Sequence, residues 1–169
     1  MRPDEISAIV LDPGYCTTRA GFAGEDVPKS IVSSYYGSVP SGSSRKYLFG
    51  DNSIHTPHPG ISVANPMSSD GTVADWDTAQ NLWEYAITSR LTSAKPGHPI
   101  LHNDKDQVEQ QDVDMEGVEE QEKPMAENPL LMTETGWNVG KNREKGIEIA
   151  VESWGCPAYW LARNGVLAA

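Results

Sequence analysis

Basic residues are scarce in this sequence: 13 Lys and Arg stand against 24 Asp and Glu, a formal net charge of −11. A general nucleic-acid binder needs surplus Lys and Arg to displace counterions from phosphates, so that class is excluded. Cysteine is nearly absent. Cys16 and Cys156 are too few for a disulfide framework and point to a reducing compartment. No stretch approaches the roughly 18–20 apolar residues that span a bilayer. The start, Met1-Arg2-Pro3-Asp4-Glu5, lacks the basic-then-apolar pattern of a secretory leader. Hydrophobic residues make up 38% and aromatics 8% of 169 residues, which supports one modest core and not two. The composition reads as that of a soluble intracellular domain.

What is present is uneven. Between Asn103 and Asn128 lie ten acids, opposed only by Lys105 and Lys123, and there is no aromatic residue. Such a stretch cannot bury enough apolar surface to offset its ordering entropy. It is expected to be a disordered acidic insertion over 103–128, between folded pieces at 1–102 and 129–169. As a contact it would suit basic partners; charge runs are more often solvated insertions that tolerate their own variation. Residues 38–70, rich in Gly, Ser and Pro, are expected to be mostly loop, with a short strand near Tyr47-Leu48-Phe49.

The rest alternates strand and helix signals. Ile6 to Leu11 is a β-rich apolar run stopped by Asp12-Pro13-Gly14, and Thr17 to Phe22 reads as its hairpin partner. Ile31 to Tyr36 is a plausible third strand. Asp75 can cap a helix whose inner face carries Trp76, Ala79, Trp83, Ala86, Ile87 and Leu91. Pro129 to Thr133 is a short buried strand. Asn138 or Asn142 can cap a second helix, with Ile147, Ala150, Val151 and Trp154 as its inner stripe. Gly146 weakens that helix by about 1 kcal/mol relative to Ala, and Gly155 with Pro157 ends it. Ala158 to Leu161 is a further strand. Asn164 to Ala169 starts a helix that stops after one turn, as a fragment or truncated product would.

Four histidines form two close pairs, His55 with His58 and His98 with His102. Their proline-rich surroundings place them in loops, where exposed histidines outnumber metal ligands. Cys156 reads as a buried inert thiol. An apolar strand ending in Asp12, then a glycine turn, then a Thr-rich strand has one chemical use: hairpin N–H groups can face an anion, and a carboxylate at the strand end can organise a divalent ion through water. Alone, the turn is weak evidence.

The surrounding segments resemble the actin family. Leu11-Asp12-Pro13-Gly14 matches its first phosphate loop, and Arg19 to Pro28 matches the segment that follows. Asp75-Trp76-Asp77, Thr133-Glu134 and Asn142-Arg143-Glu144-Lys145 fall in family order and spacing. The resemblance implies an α/β, actin-like (ribonuclease H-like) lobe with a mixed sheet flanked by helices, truncated before the second lobe. It also implies ATP with Mg in a full-length parent, and neither in this chain alone.

By the same resemblance, Asp12 stands at the position that organises Mg through water. Gly14, Tyr15, Cys16 and Arg19 stand at vestigial phosphate-binding positions, with either Tyr15 or Cys16 replacing the family's serine. Asn164 stands at the water-positioning glutamine and is one methylene shorter, so no hydrolysis is expected. The short segment Pro40 to Lys46 lacks the apolar content of the family's filament-forming loop.

Among family members the likeness is to the nuclear ones. It implies a non-catalytic scaffold subunit of chromatin-remodelling and histone acetyltransferase complexes, serving transcription regulation and DNA repair. Implied partners are actin, a helical scaffold segment of a remodeller ATPase or acetyltransferase platform, and histones through the acidic loop. No membrane and no sequence-specific nucleic acid is implied. The alternatives are an actin-like ATPase with nucleotide-driven assembly, or a truncated product with neither role.

Overall fold

The computed structural model describes residues 7–42, 44–92 and 123–167. The first apolar run forms strand β1 (Ile9–Pro13), which pairs antiparallel with β2 (Thr17–Phe22) in a register that sets Asp12 opposite Arg19. β3 (Ser30–Ser33) extends the sheet beyond β2. The expected third strand ran on to Tyr36, and the structure ends it at Ser33. Ser34 is drawn back to the β1–β2 turn: its amide donates to Cys16 O at 3.0 Å and its hydroxyl to Gly14 O at 2.7 Å. Tyr36 instead opens β4 (Tyr36–Ser41) of a second sheet.

Residues 38–70 are not mostly loop. β4 pairs with β5 (Ser44–Leu48) on one side and β6 (Ser62–Ala64) on the other, and α1 (Asp51–His55) follows β5. Turn-rich composition conceals an aromatic anchor here. Tyr36 meets Tyr47 and Phe49 at ring separations of 5.6 and 6.3 Å, and Phe49 meets Tyr85 at 5.9 Å. His55 accordingly lies in the last turn of α1 rather than in a loop.

Helix α2 (Trp76–Ile87) forms as its spacing predicts. Asp75 caps it by accepting from the Thr78 amide, and Ala79, Leu82, Trp83, Ala86 and Ile87 are buried. A π-helical turn over Thr88–Thr92 continues it and brings Leu91 against the core. Of the acidic segment, 103–122 lies outside the described residues. The remainder corrects the expected boundary: residues 123–128 form packed turns, with Met125 buried and its amide donating to Trp154 O at 3.1 Å.

Beyond that turn, β7 (Leu130–Glu134) pairs parallel with β1, and β8 (Tyr159–Arg163) parallel with β7. The main sheet therefore runs β3-β2-β1-β7-β8 and is mixed, as expected. Between β7 and β8 lie α3 (Gly140–Glu148) and a π turn over Ile149–Ser153. Neither Asn138 nor Asn142 caps α3; Val139 occupies that position, because the two amides bond each other and Glu134. The expected inner stripe also shifts. Ile149, Ala150 and Trp154 are buried, whereas Ile147 and Val151 are half exposed. A short helix, α4 (Asn164–Leu167), follows β8.

Register fixes which side of the main sheet is covered. Ile9, Leu11, Ala20, Val32, Leu130 and Met132 share one face, fully or nearly buried together with Trp83 and Trp154. Burying each such large side chain stabilises the fold by about 1.5–3 kcal/mol. The other face carries Val10, Leu131 and Trp160 in one row, with Arg19, Asp12 and Thr133 in the next. Trp160 on that face is 70% exposed. Cys156 is buried as expected, and burial pushes its thiol up to about 11.

Candidate functional site

Parallel pairing of β1 with β7 sets two strand ends side by side, and the site is built there. Asp12 is held from both sides: its Oδ1 accepts from the Thr133 hydroxyl at 2.6 Å, and its Oδ2 lies 3.5 Å from the Arg19 guanidinium. The turn that follows is closed by the Gly14 amide donating to Thr17 O at 3.1 Å. A Cβ at Gly14 would stand 2.7 Å from that oxygen, so the approach requires glycine. The carbonyls of the turn face protein donors. Gly14 O accepts from Ser34, Tyr15 O from the Asn65 amide at 2.8 Å, and Cys16 O from the Ser34 amide.

One strand-end further, Glu134 and Arg143 form the second cluster. Arg143 Nε reaches the two carboxylate oxygens of Glu134 at 3.0 and 2.8 Å, and the Asn138 amide adds a bond of 2.9 Å. Burial works to raise the Glu134 carboxyl, but the bonds from Arg143 and Asn138 outweigh it and hold it below the usual carboxylate range. Glu134 in turn holds Arg143 more firmly in its charged form. Tyr159 packs beside this pair with its hydroxyl 3.5 Å from Met132 Sδ, and burial pushes its phenol up to about 12.

Between the clusters lies a cavity of about 380 Å³. It gathers Asp12, Gly14, Tyr15 and Asn164, four of the residues singled out in the sequence, together with Thr133 and Glu134. The other two lie elsewhere. Cys16 is exposed and does not line the cavity, and Arg19 lines a separate groove with the segment Gly21 to Pro28. Sequence reasoning missed the roles of Thr133, Glu134 and Arg143 and the presence of Trp137. The alignment of Thr133 with Asp12 depends on a strand pairing between distant segments, and that of Glu134 with Arg143 on the loop between β7 and α3. Among the described residues no group of three or more His, Cys, Asp or Glu is placed to hold a metal. No described helix is long and apolar enough to cross a membrane.

The actin family model matches residues 3–169. The chain belongs to the actin family. Within that family it is similar to actin-related protein 4 of Emericella nidulans, at 60% identity over 98% of this chain and 35% of the relative. Actin-related protein 4 of Gibberella zeae is 51% identical over 98% of this chain and 36% of its own length. A more distant relative is the SWI/SNF and RSC complexes subunit arp42 of Schizosaccharomyces pombe, 31% identical over 98% of this chain and 32% of its own. The chain thus spans about a third of the length of the curated relatives it matches.

Membership of the actin family points to ATP with Mg in full-length members. Among the described residues of this chain alone, the cavity offers the phosphates of that pair no uncommitted cation. A triphosphate is strongly anionic, yet Asp12, Asp70 and Glu134 line the cavity, and its single cation among the described residues, Arg143, is bound to Glu134. Arg19, the cation of the first loop, is turned to Asp12 and the neighbouring groove, and the Gly14 amide is spent inside its own turn.

Proposed function

We propose that this chain is the first lobe of a non-catalytic actin-related scaffold subunit that serves nuclear chromatin-remodelling and histone acetyltransferase complexes. The observation that carries the reading is the 60% identity, over 98% of this chain, to a protein named actin-related protein 4. The name of the Schizosaccharomyces relative, a subunit of SWI/SNF and RSC complexes, supports the chromatin setting and with it the nucleus. Transcription regulation and DNA repair follow as the processes such complexes serve. The partners in this reading are actin, a helical segment of the remodeller ATPase or acetyltransferase platform laid in an apolar groove, and histones met by the acidic segment.

The site supports the absence of catalysis. Asn164 stands at the entrance to α4, exposed, where the family's water-positioning glutamine would be longer by one methylene. Either Tyr15, which lines the cavity, or Cys16, which is exposed outside it, stands in this reading where the family has a serine hydroxyl. Any phosphate contact by Gly14, Tyr15, Cys16 or Arg19, and any water-mediated Mg at Asp12, belongs to a longer parent that completes the cleft.

The test is a tagged copy of the chain recovered from fungal nuclear extract and read by mass spectrometry. Recovery with actin and remodeller or acetyltransferase subunits is expected; recovery of the chain by itself would overturn the scaffold reading. The purified chain is expected to release no phosphate from ATP above the buffer rate, and measurable release would return the actin-like ATPase reading to first place.

A further inference from the structure

One asparagine in this chain is followed directly by glycine: Asn164, before Gly165. Both lie in α4, both are exposed, and that helix buries none of its four residues. Among the described residues, no hydrogen bond holds the Asn164 side chain. A Cβ built on Gly165 would meet no heavy atom within 4 Å, so the approach to its main-chain nitrogen is open. That nitrogen also sits in the first turn of α4, where a helix offers its amides no acceptor. An unbound side-chain amide therefore stands beside an unhindered and unbonded main-chain nitrogen.

Elsewhere the fold withholds one requirement or the other. Asn65 and Asn128 precede prolines, which have no N–H, and their side chains bond the Tyr15 and Ser7 carbonyls. Asn138 and Asn142 spend their amides on Glu134 and Asn138. Asn81 is buried in α2, and behind Asn52 the Ser53 amide donates to Gly50 O at 3.1 Å. The nearest chemical relative is Asp70-Gly71, which is restrained twice. The Gly71 amide donates to Ser68 O at 2.9 Å, and the Thr72 amide and hydroxyl hold the Asp70 carboxylate at 2.9 and 2.7 Å. Those bonds keep its carboxyl below the ordinary range, and an ionised carboxylate is a poor electrophile.

We propose that Asn164 is a site of spontaneous deamidation. The Gly165 nitrogen gives up its proton and bonds to Asn164 Cγ; the bond from Cγ to the side-chain nitrogen breaks, and ammonia leaves. Water then opens the succinimide at either carbonyl, leaving aspartate or isoaspartate. Water is the one co-reactant, and nothing is oxidised or reduced. Ring closure takes the Asn164 backbone out of the helical region, which a single exposed turn resists weakly. Either product adds a carboxylate to the cavity that Asp12, Asp70 and Glu134 already line. Isoaspartate also routes the main chain through the former side chain, so β8 no longer leads directly into α4. Nothing in this chemistry draws on the scaffold reading; loss of one leaves the other standing.

The experiment incubates the purified 169-residue chain at neutral pH and body temperature for days, beside Gly165→Ala and Asn164→Gln. Peptide mass spectrometry follows loss of each side-chain amide, and an isoaspartyl methyltransferase with labelled methyl donor counts isoaspartate. Asn164 is expected to convert about ten-fold faster than Asn52 or Asn142. Isoaspartate is expected at Asn164 and not at Asp70 over the same period. Gly165→Ala, whose methyl meets no neighbour, is expected to slow conversion about ten-fold by crowding the attacking nitrogen. Asn164→Gln is expected to remove the acidic band that the wild type gains in isoelectric focusing. Circular dichroism checks that both variants keep the fold, and the comparison with Asn52 and Asn142 within one chain needs no variant. Conversion at Asn164 no faster than at those two would overturn the proposal. So would an unchanged rate in Gly165→Ala, or isoaspartate arising first at Asp70.

Discussion

At the scale of single residues, the fold is pinned by carboxylates whose partners come from other segments. Glu134 is the clearest case, its side chain 8% exposed and held by Arg143 and Asn138. Glu134→Gln keeps the shape and removes the charge. It is expected to cost about 1–2 kcal/mol in urea denaturation, toward the low end because Arg143 is one-third exposed. Its pH dependence has a definite sign. A carboxyl held below its unfolded value contributes stability that is complete above about pH 4.3 and is lost as pH falls through the lower folded value. The wild-type chain should therefore lose stability at acid pH more steeply than Glu134→Gln, measured as denaturation midpoints between pH 3 and pH 6, on the order of the carboxylate range. Asp75→Ala removes the acceptor for the Thr78 amide and is expected to cost about 1 kcal/mol. The Asp75 cap was legible in the sequence because a cap and its helix are neighbours. The Glu134–Arg143 pair and the Thr133–Asp12 bond were not, since a loop separates the first two in the chain and more than a hundred residues separate the second two.

At the scale of elements, local periodicity succeeded where the helix is regular and failed where it is not. α2 follows an ordinary helical repeat, and of the residues predicted for its inner face Ala79, Trp83, Ala86 and Ile87 are buried and Trp76 is partly so. In the second helical segment the repeat of Ile147, Ala150, Val151 and Trp154 is as good on paper, yet Ile147 and Val151 face outward. The cause is the π turn. The Trp154 amide donates to Ile149 O at 2.9 Å, five residues back, so Ile149 and Trp154 share the inner face. Ile149→Ala is expected to destabilise the chain by about 2–4 kcal/mol and Ile147→Ala by less than about 1 kcal/mol, in the same denaturation assay. Equal losses would restore the regular helix. The second sheet was hidden for another reason: its strands are short and turn-rich, and only the packing of Tyr36, Tyr47 and Phe49 shows that they have something to hold.

At the scale of the whole molecule, helices cover one face of the main sheet, while Val10, Leu131 and Trp160 lie on the other. The buried core is continuous through β1, β2, β3, β7 and α2, with β8 partly buried against it, so a cooperative melt by circular dichroism is expected; a featureless slope would favour the reading of a truncated product without either role. The exposed indole of Trp160 is expected to promote association at high concentration. Trp160→Ser should then lower the apparent mass in size-exclusion chromatography without shifting the melt.

The central position of β1 governs the order in which this chain can fold. Its hairpin with β2 is local and can close within microseconds, but its other neighbour, β7, lies more than a hundred residues later. Loop closure grows only logarithmically with length, so doubling the intervening segment costs only about 0.6 kcal/mol. The rate carries the burden instead, because a contact so distant in sequence delays the transition state. Pulse-labelled hydrogen exchange should find the Val10, Asp12, Arg19 and Gly21 amides, which alternate into the hydrogen-bonded pairs of the hairpin, protected early. The Ile9 amide, which donates to Pro129 O, should gain protection only when the last quarter of the chain arrives.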